Sequence, residues 1–121
     1  MIKNIKFISP SLHGILDYLV DITLISIPVV FNFMEISNSA FWVSVGIGLS
    51  NFLYSLFTIY SRSVIKLIPL KLHLMFDFIV GLVLLTVAFV LPIEGFVQLY
   101  YLAMGAGIIL ATAFTNTNQE I

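Results

Sequence analysis

The chain contains no cysteine. That absence removes cysteine-ligated zinc, iron–sulfur clusters, thiol nucleophiles and a disulfide scaffold from consideration. Charge is nearly as scarce. Five Lys+Arg and six Asp+Glu make up 9% of the 121 residues, against about 25% in an ordinary soluble domain. The net charge of −1 supplies no field to attract nucleic acid, which is not expected as a partner. P-loop, nucleophile-elbow, HExxH and nucleic-acid-binding patterns are missing too, and no enzymatic activity is expected.

What is present is apolar. Hydrophobic residues make up 60% of the chain, and the mean hydropathy is +1.12. A chain of this composition is neither disordered nor able to face water on all sides. The expected class is an all-α integral membrane protein, with membrane lipids as its surroundings. A β-barrel does not fit, because the apolar runs are continuous and do not alternate with polar residues.

Four windows, at about 12–34, 39–60, 72–92 and 95–115, are long enough to be spans, given that roughly 20 apolar residues cross the hydrocarbon. No small-residue cleavage site follows the first, so it is expected to stay as a span and not to be removed as a signal peptide. The connections are short, which makes successive helices antiparallel neighbours. Lys3, Lys6, Arg62, Lys66 and Lys71 precede span 1 or lie between spans 2 and 3, whereas Glu35 and Glu94 occupy the other two connections. Under the positive-inside rule both termini are cytoplasmic. The expected location is a bacterial cytoplasmic (inner) membrane. The stretch from Ser61 to Lys71 is amphipathic enough to lie on anionic headgroups.

The chain also repeats itself. On a shift of 60 residues Ile8, Leu12, His13, Asp17, Val20 and Leu24 coincide with Ile68, Leu72, His73, Asp77, Val80 and Leu84. Apolar coincidences carry little weight in such a chain. Those of His and Asp carry more, because there are only two histidines and three aspartates in all. The expectation is a single transmembrane domain, 1–121, of two tandem helical hairpins (7–60 and 67–115). Each has an even number of spans, so the halves would be parallel repeats about an axis along the membrane normal.

Residues four apart share a helix face. His13, Asp17 and Asp21 therefore form one polar stripe on span 1, and His73, Asp77 and Gly81 form the matching stripe on span 3. A carboxylate beside an imidazole stabilises its charged form or fixes its tautomer. A carboxylate within a bilayer is costly, roughly 2.5–3.5 kcal/mol on insertion scales, so it turns inward and pairs. Facing spans would bring His13 to Asp77 and His73 to Asp17. Asp21 breaks the symmetry and lies ~13 Å past the start of span 1, near the midplane. Ser44, Gly48, Asn51, Ser55 and Thr58 make one small, polar face on span 2, and Asn51 is the expected partner of Asp21.

His13, Asp17, Asp21, Asn51, His73 and Asp77 are thus the candidate residues for a proton, ion or small polar solute. A second reading keeps the His/Asp pairs as interhelical glue in a structural or accessory subunit. A third makes His13 and His73 axial ligands of a b-type haem in an electron carrier. Otherwise no cofactor is expected, and no metal, since two His and two Asp come with no further metal motif. Ala103, Gly107 and Ala111 form a small-residue stripe on span 4, expected to pack internally, with a homo-oligomer seam as its other use. Pro28 should kink span 1 and free the carbonyl of Leu24. Pro69 and Pro92 mark the two ends of span 3. Trp42, Tyr60, Tyr100 and Tyr101 lie near span ends, as interfacial anchors do.

Ile27-Pro28-Val29 followed by Phe31-Asn32-Phe33 has the form of a proline-centred motif late in the first helix of a hairpin. Its second-half counterpart, Val87-Ala88-Phe89, lacks the proline, and no Ser-Pro-Trp occurs. The helix starts His13-Gly14-x-x-Asp17-Tyr18 and Ile68-Pro69-x-x-x-His73 are closer matches. In these features the chain resembles small bacterial four-span membrane proteins of the SPW-repeat type and related uncharacterised families. The resemblance implies a duplicated four-helix bundle and no particular activity.

Overall fold

A computed structural model describes residues 6–58 and 67–117. It contains five helices: α1 (Pro10–Val30), α2 (Phe33–Ile36), α3 (Asn38–Leu56), α4 (Leu70–Val90) and α5 (Phe96–Ala113). Among the described residues there is no strand. All four long helices are long and apolar enough to cross a membrane. Their outer faces carry large apolar side chains, among them Leu19, Leu53, Phe89 and Leu99. Lys3, Arg62, Lys66, Tyr60 and most of the amphipathic stretch from Ser61 lie outside the described residues.

Local chemistry sets the helix limits. Ser9 caps α1 by accepting from the Leu12 N–H, and Pro10 takes the first helical position, where no amide donor is needed. The first span ends earlier than the expected residue 34. Asn32 adopts a left-handed conformation (φ 54°), which halts α1, and the single turn α2 follows. Ser37 then caps α3 through the Ala40 N–H. Pro69 stands at the start of α4. Leu91 turns extended ahead of Pro92, as a residue preceding proline does, and ends that helix. Gly95, at φ 64°, supplies the turn into α5.

The helices pair as two hairpins. α1 packs along α3 and α4 along α5, while α3 meets α4, and α1 meets α5, only sparsely. Within each hairpin a glycine permits the close approach. A Cβ on Gly48 would lie 2.9 Å from Leu24 Cβ and 3.1 Å from the Asp21 carbonyl. A Cβ on Gly105 would lie 2.9 Å from the Gly81 carbonyl. The expected internal stripe of Ala103, Gly107 and Ala111 is not where the hairpin closes. Ala103 and Gly107 are exposed, and Gly107 has open space around it. Gly105 faces α4 instead, because a helix presents residues to one neighbour every three or four positions.

The Leu24 carbonyl, freed by Pro28 within α1, accepts a hydrogen bond from Ser44 Oγ at 2.7 Å. Ser44 in turn accepts from the Tyr100 hydroxyl at 2.7 Å, since its own proton is spent on the carbonyl. Tyr101 donates to the Ala40 carbonyl. Tyr100 and Tyr101 are consequently buried and are not interfacial anchors, which corrects the expectation from their position near a span end. Trp42 is exposed. Leu24, Phe33, Leu84, Ala88 and Tyr101 form the apolar core around these residues, towards the ends of α1 and α4.

A second set of contacts joins the hairpins at the opposite end. Ile8, ahead of α1, pairs with Thr115, just past α5; Thr58, just past α3, pairs with Ile68, ahead of α4. The backbone bonds are Ile8 N–H to the Phe114 carbonyl (3.0 Å), Asn116 N–H to the Ile8 carbonyl (2.8 Å) and Ile68 N–H to the Phe57 carbonyl (2.7 Å). Each hairpin thus closes on the residues that open the other.

Candidate functional site

The two clasps set Thr58 and Thr115 beside the first turns of α4 and α1. Each hydroxyl donates to the carbonyl four residues back, Thr58 to Tyr54 (2.7 Å) and Thr115 to Ala111 (2.6 Å). These carbonyls belong to the last helical turn, where the i+4 amide no longer continues the helix. Each threonine oxygen also lies against a histidine: Thr115 Oγ1 is 2.7 Å from His13 Nδ1, and Thr58 Oγ1 is 2.6 Å from His73 Nδ1. A hydroxyl has one proton, and both are committed to carbonyls. The oxygens must therefore accept, so Nδ1 of both histidines carries hydrogen. Two neutral side chains fix the tautomer.

Nε2 of both rings then points at the carboxylates. His13 Nε2 lies 3.0 Å from Asp77 Oδ2 and 3.2 Å from Asp17 Oδ1. His73 Nε2 lies 2.6 Å from Asp17 Oδ2 and 3.1 Å from Asp77 Oδ2. The crossed pairs anticipated from the repeat, His13 with Asp77 and His73 with Asp17, are present, together with the two within-helix pairs. The rings meet edge to face, with centroids 5.9 Å apart. His13, His73 and Asp77 are almost completely buried.

The cluster is not symmetric in its surroundings. Tyr54 donates to Asp77 Oδ1 at 2.8 Å and packs edge-on against His73, with centroids 4.6 Å apart. The residue placed likewise four before Thr115 is Ala111. The Asp17 side chain is 15% exposed, against 3% for Asp77. Asp17 is therefore the member of the cluster nearest to the outside.

Asp21, one turn further along α1, is buried as well. Asn51, its expected partner, is buried too, on the facing α3. Asp21 Oδ2 has no hydrogen-bond partner among the described residues, nor do the buried hydroxyls of Ser55 and Thr112. The whole polar face foreseen on span 2 (Ser44, Gly48, Asn51, Ser55, Thr58) is buried. All six candidate residues thus lie inside the bundle, four in one cluster and Asp21 with Asn51 deeper. Thr58, Thr115 and Tyr54 were not among them. Thr58 was read only as part of the polar face of span 2; the other signal in the sequence is position, since each threonine falls two residues past a helix end and Tyr54 stands one turn before Thr58.

Comparison with protein-family models, with curated proteins and with solved structures finds no match.

Proposed function

We propose that this chain is a small integral membrane protein that binds and relays protons through its buried His/Asp cluster. The observation that carries this reading is the sharing of each Nε2 proton between two carboxylates while both Nδ1 protons are held by threonine. Two protons are distributed over a compact set of nitrogen and oxygen atoms, so moving one needs no rearrangement of the helices. Asp17 is the entrance. Asp21 with Asn51 is the next station, about 6 Å deeper along α1 at the helical rise. Ser44, Tyr100 and the Leu24 carbonyl continue the polar contacts towards the far end.

The basic residues argue for cytoplasmic termini in a bacterial inner membrane, with the cluster near the cytoplasmic boundary. The like roles of His13 and His73 favour two duplicated hairpins and kinship with the SPW-repeat type. The outward Ala103 and Gly107 offer a second copy a close approach. A haem has weaker support than a proton, since all four ring nitrogens already have protein partners.

Reconstitution into liposomes with an internal pH dye tests the relay. Asp21→Asn is expected to abolish proton flux while the protein still folds and inserts. Flux equal to that of the unaltered protein would overturn it. The structural reading gains from one observation, that the crossed His/Asp pairs bridge the first helices of the two hairpins; on that reading no flux is seen with either protein.

A further inference from the structure

We propose that the same four side chains form a binding site for one divalent transition-metal ion of the zinc or cobalt(II) type, taken up in exchange for the two shared protons. The inference rests on the cluster being an ion-handling centre, and it names the ion. Each of His13, Asp17, His73 and Asp77 offers one ligand atom, and the four atoms lie within 4.8 Å of one another. With Asp17 Oδ2 and Asp77 Oδ2 as the carboxylate ligands, three of the six edges of that set are 2.6, 3.0 and 3.1 Å. A tetrahedral ion with bonds of 2.0–2.1 Å requires edges of about 3.3 Å. Those three edges would have to lengthen by about 0.2–0.7 Å, and the others, all within 4.8 Å, would settle to the same length.

The tautomers are already correct. A metal-binding imidazole gives its other N–H to an outer partner that holds the ring in place. Thr115 and Thr58 perform that task here, leaving both Nε2 lone pairs to converge. Charge is conserved as well. Two imidazolium rings with two carboxylates sum to zero, as do two neutral imidazoles, two carboxylates and one divalent ion. Uptake of M2+ with release of two H+ therefore adds no net charge to a dry interior, where an unbalanced ion would cost several kcal/mol. Two imidazole nitrogens with two carboxylate oxygens suit zinc, cobalt(II) or nickel and not magnesium or calcium. The set is complete with four protein ligands, and so describes a holding site with no open position for a reacting water. Asp17, the most exposed of the four, is the point of entry.

Cobalt(II) titrated into the full-length protein in mild detergent reads this directly. The expected result is one ion per chain, the intense visible bands of a four-coordinate Co2+ centre, and two protons released per ion in weakly buffered solution. Zn2+ should bleach the bands. Thr115→Val, which removes the outer partner of His13 together with the bond to the Ala111 carbonyl and touches none of the four ligands, should weaken Co2+ binding roughly 10–100-fold. Glu94→Gln should leave it unchanged. A folded wild-type protein that shows no such bands, or bands that survive in His13→Gln, would overturn the metal site. That failure would leave the relay standing, because flux and its loss in Asp21→Asn are measured without added metal. A Co2+ centre without proton flux would sink the relay alone.

Discussion

At the scale of single residues, the protein depends on hydroxyls that do two things at once. Thr58 satisfies a carbonyl at the end of α3 with its proton and receives the His73 N–H on its oxygen. Thr58→Val keeps the shape and removes both. A buried imidazole donor left without an acceptor costs about 1–3 kcal/mol, so thermal unfolding in detergent should show a loss of that size. Thr58→Ser should restore most of it. A valine variant as stable as the wild type would mean that the threonine does not hold the ring. This role was not legible in the sequence, where Thr115 and His13 are 102 positions apart and Thr115 reads as part of an apolar span. The histidines and aspartates were legible because they are rare and expensive inside a membrane. Rarity marks them even in a chain whose apolar residues resemble one another.

At the scale of helices, the close pairs α1/α3 and α4/α5 are set by glycine. A Cβ at Gly105 would stand 2.9 Å from the Gly81 carbonyl and 3.0 Å from the Leu85 nitrogen, backbone atoms that cannot step aside without parting the helices. Gly105→Ala should destabilise by about 1–3 kcal/mol, the range for overpacking. Gly107→Ala meets nothing within 4 Å and should be neutral or gain roughly 0.5–1 kcal/mol from helix propensity. Unfolding of the two variants side by side checks the contrast, and equal effects would contradict it. The existence of four long apolar helices could be read from the chain, since it follows from run length. Which small residues face inward could not, because on a helix apolar all round no polar face tells inside from outside. Tyr100 and Tyr101 show the same limit: their hydroxyls are satisfied within the bundle by Ser44 and by a backbone carbonyl.

At the scale of the whole molecule, the two hairpins are joined at one end by the cluster and the two backbone clasps, and at the other by the Ser44–Tyr100 and Tyr101–Ala40 hydrogen bonds and the apolar core. His13→Ala should be strongly destabilising, by about 3–5 kcal/mol if Asp77 is left charged and buried. Asp77→Asn added to it should cost much less than it does alone. The coupling energy from the double-mutant cycle should fall within about 0.5–3 kcal/mol, and strict additivity would show that the pair does not hold the halves together. A small apolar cleft between them is lined by Val43 of α3 and by Ile79, Val83, Thr86 and Val90 of α4.

The clasps also bear on the order of the chain. Ile8 meets Thr115 as Ile68 meets Thr58, so the two joins between the hairpins are geometric equivalents. A circularly permuted chain, running from 67 to 117 and then through a short linker to 6–58, would present the same pairs. Which hairpin comes first in the chain is thus free of the architecture, and a permuted chain that folds with the same clasps would show it.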